Sequence, residues 1–442
     1  MGHRRTFPQS HRNDPTHAAR LRRRRLAVLL AGPALAIAAV PGTVAAAEDS
    51  FEKALELIRM ENAMLPGLAM MERMSRAGVF TPAAYMQFLA MTGDADAVEA
   101  SNEAPSPGAG PDAPTDVCSY KAENALAAIL AESRERKIVM INEAHHEQRH
   151  RAFASLLLRG LRDAGFTHFG AESFAPEIHE SMADGAPDGM TGVYTADPYF
   201  ADLVRQAKQL GFQFFDYEQR PHQQTDATDR ASRIAVREQA QAANIKAVMD
   251  RNPEARFVIF AGYSHIREWP TSDGSRWMAY RLRHLTGVDP LSIDQIPGTP
   301  RHGRKTQSPW YSGIERCHDI RRPLVLADEG RWLGGPGTDI AVVHPRTPGD
   351  HDWRLMDGYR QATGVRFEES PSRSLLRAFV ATEPADAIPL DQILLEPGAT
   401  TAVLHLPSGD FRLVRQFEDG RNESLPDILT VTSRPAGDKS PR

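Results

Sequence analysis

The chain has 442 residues, 41% of them apolar and 25% charged, which is ordinary for a globular protein and long enough for two or three domains. A formal net charge of -5 gives no sign of a nucleic-acid partner. The single basic run near the start, Arg22 to Arg25, precedes an apolar segment and is explained by targeting.

That segment, Leu26 to Val40, is followed by Ala45-Ala46-Ala47. A basic region, a short apolar core and small residues predict a signal peptide over residues 1–47. The run is short for a transmembrane helix and Pro33 interrupts it, so an uncleaved anchor is the less favoured alternative. No cysteine stands near the cleavage site to carry lipid. The mature chain is expected to be periplasmic or secreted, with no stable membrane anchor. Cys118 and Cys317 could pair in an oxidising compartment or remain two buried thiols; spacing does not decide.

Residues 48–100 predict a small helical cap. Phe51, Leu55, Ile58 and Met64 recur at helical spacing, and Met70, Met71 and Met74 read as core filler rather than a ligand stripe. Residues 101–117, rich in Pro, Gly, Ala and Asp, read as a linker. Residues 118–300 then alternate strands and helices. A helix is expected from about Tyr120 to Arg134. Strands follow at Ile138 to Ile141, near His168 to Ala171, and at Phe212 to Tyr217, Phe257 to Gly262 and Pro290 to Ile293. A long helix spans about Asp229 to Arg251, and Glu177 to Pro198 reads as an insertion over the strand ends. The fold class is therefore α/β, a parallel sheet with helices on both faces.

Residues 301–371 read as an irregular extension with short strands at Leu324 to Leu326 and Asp339 to Val343. Residues 372–432 predict a small β-sandwich-like domain, with Pro407-Ser408-Gly409-Asp410 as a hairpin turn, and 433–442 a disordered tail.

The chemistry gathers at strand ends. Glu143, His145, His146 and His150 follow the first strand, Glu172 the second, and His265 the fourth. Parallel strands place these ends along one edge of the sheet, where open α/β sheets bind ligands. His146 and His150, four apart, are expected on one helix face. Histidine and carboxylate there suit a general base on water or a metal site; helix-start solvation and salt bridging are the structural alternatives. Arg237 and Glu238 lie in the long helix, as a pair for the site or as ordinary surface charge. Asp216 and Glu218 are weaker candidates. No G-x-S-x-G elbow and no Gly-rich phosphate loop follows the first strand. Water activated by histidine and carboxylate is thus favoured over a protein nucleophile.

The segments INEAHHEQRH, GAESF, VREQAQAANI and FAGYSHI, in that order, resemble the superfamily that joins erythromycin esterases, ChaN-like haem-binding proteins and Tiki proteases. The resemblance covers about Lys137 to Ile296. It assigns Glu143 and His145, Glu172, Arg237 and Glu238, and His265 to the family's positions, with Asn142 in place of the usual Gly. The esterase branch implies His145 as a metal-free general base. Glu143, Glu172 and Arg237 would orient the group, and His265 would stabilise the oxyanion. The Tiki branch implies a divalent metal (Mn, Zn or Co) held by His145, His146, Glu172 and His265, acting on peptides. The ChaN branch implies haem, with a tyrosine such as Tyr217 or Tyr263 as ligand. The expected function is hydrolysis of an ester or amide in a small molecule or peptide. A haem- or metal-binding protein without turnover and a noncatalytic interaction protein are the alternatives.

Overall fold

The computed structural model describes residues 49–93, 98, 116–176, 178–301, 306–346, 352–356 and 358–433. The expected signal peptide and nearly all of the expected linker and tail lie outside the described residues.

The α/β region is built on strands β1 (Lys121–Asn124), β2 (Ile138–Glu143), β3 (His168–Ala171), β4 (Gln213–Phe215), β5 (Phe257–Gly262), β6 (Leu291–Gly298), β7 (Leu324–Asp328), β8 (Arg331–Trp332) and β9 (Ile340–Val343). They form one sheet in the order β1-β7-β9-β6-β2-β5-β3-β4, with β8 added to β7. The run from β9 to β4 is parallel throughout. β7 pairs antiparallel with β1, β8 and β9. The stretch expected to be irregular beyond residue 300 therefore supplies three strands to the main sheet. The strand expected to end at Ile293 runs on to Gly298. The helix expected from Tyr120 begins later. Residues 121–124 pair with β7, and the Asn124 side chain accepts a hydrogen bond from Ala127 N (3.0 Å), capping α4 (Ala125–Ser133).

Alternation along the central strands explains the two helical layers. Val139 and Ile141 of β2 and Val258 and Phe260 of β5 face a core shared with α4, α5 (Gln148–Asp163) and α7 (Pro198–Gln209). Ile138, Met140, Phe257 and Ile259 face the opposite core, under α8 (Arg230–Arg251) and α9 (Met278–Thr286). Strands apolar on both faces are what a doubly covered parallel sheet requires.

The cap comprises α1 (Phe51–Met60), α2 (Met64–Arg76) and α3 (Pro82–Leu89). Ser50 and Thr81 cap α1 and α3, and Met70, Met71 and Met74 are buried in the first core. A short helix, α6 (Ile178–Asp184), lies in the insertion. The last region holds β10 (Gln361–Arg366), β11 (Ser374–Val380), β12 (Asp391–Leu395), β13 (Thr401–Leu406), β14 (Gly409–Phe417), β15 (Asn422–Ser424) and β16 (Leu429–Val431). A five-stranded antiparallel sheet and the β10–β13 ribbon share one core that includes Leu376, Leu404 and Phe411. Residues 407–410 are not a hairpin turn: Pro407 and Ser408 carry the chain from β13 in the ribbon to β14, which begins at Gly409 in the larger sheet.

Cys118, just before β1, is joined by a disulfide to Cys317 at the end of α10 (Pro309–Cys317), across 199 residues, with Cα atoms 5.3 Å apart. Closing so long a loop restricts the unfolded chain. Cys118→Ser is expected to lower the unfolding free energy by about 2–5 kcal/mol, read from urea denaturation beside the oxidised wild type.

Candidate active site

β2, β3 and β5 lie side by side, so their carboxyl ends bring together groups that the sequence separates widely. Glu143 is the last residue of β2, Glu172 follows β3, and Gly262 ends β5. Beyond the first and last of these ends the chain turns back as His145 and as the short helical turn Tyr263–Ile266. Ser173 and Tyr263, which follow Glu172 and Gly262, both adopt positive φ (71° and 45°). Such conformations cost of order 1–3 kcal/mol and are sustained where the surroundings over-determine them.

The first half of the site is a chain of charge behind one imidazole. Glu143 Oε1 lies 2.9 Å from His145 Nδ1. Arg151, fully buried on α5, donates to both Glu143 oxygens (2.5 and 3.0 Å) and to the His145 carbonyl (2.9 Å), and reaches Asp197 at 3.1 Å. Burial pushes the Glu143 carboxyl upward, but Arg151 and His145 outweigh it and hold it below the usual range. An ionised Glu143 accepts the Nδ1–H of His145, so that in the neutral ring Nε2 is the bare nitrogen. The ring is stacked on Tyr194 (centroids 4.0 Å apart) and meets Tyr263 edge-on (5.0 Å). Gly262 permits this packing. A Cβ at that position would stand 2.6 Å from His145 Nε2 and 2.8 Å from Glu172 Oε2.

The second half is centred on Arg237 of α8. Its Nη2 donates to Glu172 Oε1 (2.7 Å) and Glu218 Oε1 (2.8 Å). The other Glu172 oxygen accepts from Gly262 N (2.5 Å). His265 Nδ1 pairs with Glu238 at 2.9 Å, and the same carboxylate caps α9 through Met278 N. His265 Nε2 stands 3.3 Å from Arg237 Nη1 and 3.4 Å from Glu172 Oε1. The first contact calls for a neutral ring, the second for a charged one. Three carboxylates face a single guanidinium here, and that balance favours the imidazolium. Burial works against the charge, but Glu238 and Glu172 outweigh it and raise His265 to about 10. Glu172 is held well below the usual carboxylate range: burial opposes, and His265 and Arg237 prevail.

Both halves open on a cleft of about 720 Å³, lined by His145, Glu172, Tyr194, Arg237, Tyr263 and His265. The cap lines it too, through Thr81, Ala83, Ala84 and Gln87. Gln87 also accepts from the Tyr194 hydroxyl (3.4 Å).

The structure thus joins Glu143, His145, Glu172, Arg237, Glu238 and His265, and with them the weaker candidate Glu218. It does not join the other candidates. His146 lies in the turn before α5, so it shares no helix face with His150, and its Nδ1 is 3.4 Å from the Tyr263 hydroxyl. His150 is buried, accepts from Ala144 N (3.0 Å) and pairs with Thr299 (2.7 Å); burial lowers its pKa well below the usual value, so it is a neutral structural histidine. Asp216 points away and pairs with Arg220. Asn142 donates to Tyr263 O (2.9 Å) and Asp294 (2.7 Å) and so ties β2 to its neighbours on both sides. Tyr217 donates its hydroxyl to Phe260 O (2.7 Å) in the core.

The Tiki-like alternative implies a divalent cation among His145, His146, Glu172 and His265. Among the described residues no three His, Cys, Asp or Glu side chains converge as a metal-ligating group. Glu172 has both oxygens engaged, and a guanidinium stands inside the set where the cation would sit. The residues as arranged do not fit such an ion.

No protein-family model matches the chain, and no curated protein matches its sequence. Among solved structures, the type III effector HopBA1 is similar at 11% identity and a TM-score of 0.34, over 52% of this chain and 99% of that one. RRSP, a MARTX toxin effector domain from Vibrio vulnificus CMCP6, is similar at 19% identity and a TM-score of 0.27, over 38% of this chain and 35% of that one. A structure of the C-terminal region of Pasteurella multocida toxin, described with a thiol-protease-like catalytic triad, is similar at 12% identity and a TM-score of 0.28, over 66% and 46%.

Proposed function

We propose that the protein is a hydrolase of an ester or amide, in which His145 activates water. The observation that carries this reading is the Glu143–His145 pair, whose Nδ1 contact at 2.9 Å leaves Nε2 as the basic nitrogen beside the cleft. Nε2 removes the proton from water as its oxygen adds to the carbonyl carbon. Glu143, fixed by Arg151, steadies the imidazolium that forms. The charge that develops on the carbonyl oxygen faces the cations of the opposite half, His265 and Arg237. His145 then returns the proton to the leaving group. Glu172 and Glu218 hold Arg237 in place and are not themselves bases, since Glu172 is held ionised with both oxygens engaged. Of the activities that the resemblance implies, this geometry supports the esterase-like one, because the cluster is organised around a guanidinium. The Cys118–Cys317 disulfide supports action outside the cytoplasm.

Two measurements test this. Turnover of 4-nitrophenyl esters is expected to survive dialysis against EDTA; loss restored by Mn, Zn or Co would overturn the metal-free reading. Activity is also expected to fall as pH rises through about 10, where His265 loses its proton. The sign follows for stability too. A histidine raised above its unfolded value stabilises the fold fully below that value, about 6.5, and the contribution disappears as pH rises through about 10. A His265→Gln variant should lack that alkaline limb in both readouts.

A further inference from the structure

Charge is unevenly spread along the cleft. At its floor, the carboxylates Glu172, Glu218 and Glu238 are each in ion-pair contact with Arg237 or His265. Two more lining cations, Arg230 and Arg233, lie on the first turns of α8. With Arg237 they occupy positions i, i+3 and i+7, which share one helix face. At 1.5 Å per residue, Arg233 stands about 6 Å and Arg230 about 10 Å along the helix axis from Arg237. Both side chains line the cleft and are exposed to solvent. Among the described residues no carboxylate forms an ion pair with either. The nearest acid in sequence, Asp229, caps α8 by accepting from Ser232 N (2.8 Å), and its charge acts on Arg233 without a direct ion pair. Arg233 Nη1 donates to Thr228 O, which orients the guanidinium and leaves its remaining N–H groups for a ligand. Gln224 and Thr225, which also line the cleft, are uncharged.

Resting on the hydrolase reading, we propose that the substrate carries an oxyanion group, carboxylate or phosphate, bound by Arg230 and Arg233 one to two helical turns from the bond that is cleaved. Guanidinium groups in pairs recognise such anions through charge-assisted hydrogen bonds. The separation implies a flexible or extended link of several atoms between the anion and the reacting carbonyl. An alkyl ester without a remote charge would leave the two cations unanswered.

The test uses mono-4-nitrophenyl suberate against its methyl ester, which has the same length and no charge. KM for the charged ester is expected to be lower by about tenfold or more in the wild type, the scale of one hydrogen bond to a charged group. The difference is expected to shrink with added salt and to collapse in an Arg230→Gln/Arg233→Gln double variant, while Arg230→Lys/Arg233→Lys retains part of it. Equal KM values in the wild type, or a preference unchanged in the Gln variant, would overturn the proposal. Binding of suberate and of hexyl phosphate, followed by calorimetry, separates this proposal from the hydrolase reading. Binding that is lost in the Gln variant supports the anion subsite even if neither ester is cleaved, and that outcome would count against hydrolysis alone. The tighter of the two ligands names the anion; absence of binding by both overturns the subsite.

Discussion

Replacing His145 by Ala is expected to cut ester turnover by about 10²–10⁴-fold, the usual worth of a positioned general base. The fold should survive, because the ring sits in a turn at the sheet edge and its neighbours Tyr194 and Tyr263 are anchored elsewhere. Tyr194 belongs to the helical turn Tyr194–Ala196, and the turn Tyr263–Ile266 is secured through Asn142. Near-wild-type circular dichroism and thermal midpoint, with turnover lost, are the predicted pair of results. His146→Ala is the matched control and should keep most activity, since His146 stands outside the two-part charge cluster. Full turnover in the His145 variant would sink the assignment.

Arg151→Ala is expected to do the opposite: to damage stability first. The guanidinium is 0% exposed and lies between Glu143 and Asp197. Removing it leaves two carboxylates in the interior without their cation, a change that costs about 3–5 kcal/mol. The shortfall should be read by urea denaturation at neutral pH. Its pH dependence is diagnostic. With Arg151 gone, burial raises the Glu143 carboxyl, so protonating it no longer costs stability and the variant should lose less than the wild type on acidification. Under conditions where the variant stays folded, turnover should still be reduced, because a protonated Glu143 lacks the charge that steadies the imidazolium formed on His145. A variant as stable and as active as the wild type would mean that Arg151 neither compensates the carboxylates nor positions the base.

These two residues show what could be read from the sequence. His145 was legible: a short strand apolar at every position, Ile138 to Ile141, followed at once by Glu143 and His145, can only place those groups at the edge of a covered sheet. The same logic located Glu172 and His265. Arg151 was not singled out, because a charged residue among Arg149, Arg159 and Arg162 reads as helix surface. Its position did carry a signal. Arg151, Ala154 and Leu158 fall at i, i+3 and i+7 on the buried stripe of α5, so its charge had to be met inside. Which acids meet it, Glu143 and Asp197, is decided by tertiary packing. Asp216 and Glu218 flank Tyr217, and regular alternation would put both on one face; the strand ends at Phe215, and the chain beyond it takes Glu218 to Arg237 and Gln241 while Asp216 pairs with Arg220. The strands beyond residue 300 were recognisable as short strands, but their membership in the main sheet rests on pairing at its edge with β1 and β6, which no local pattern encodes.

Part of the cleft lining is not supplied by the sheet. Thr81, Ala83, Ala84 and Gln87 belong to the cap, and the cap is itself held by the C-terminal β-region. Arg377 of β11 donates to the Asn62 carbonyl (2.6 Å), Gln392 of β12 donates to Met91 O (2.7 Å), and Leu65 N donates to Gln416 of β14 (2.9 Å). The cap residues that line the cleft are thus fixed by the grip between the N-terminal helices and the C-terminal β-region. Exchange of substrate preference between relatives would have to move both regions as a matched set. A graft of the cap alone would arrive without the scaffold that aims it.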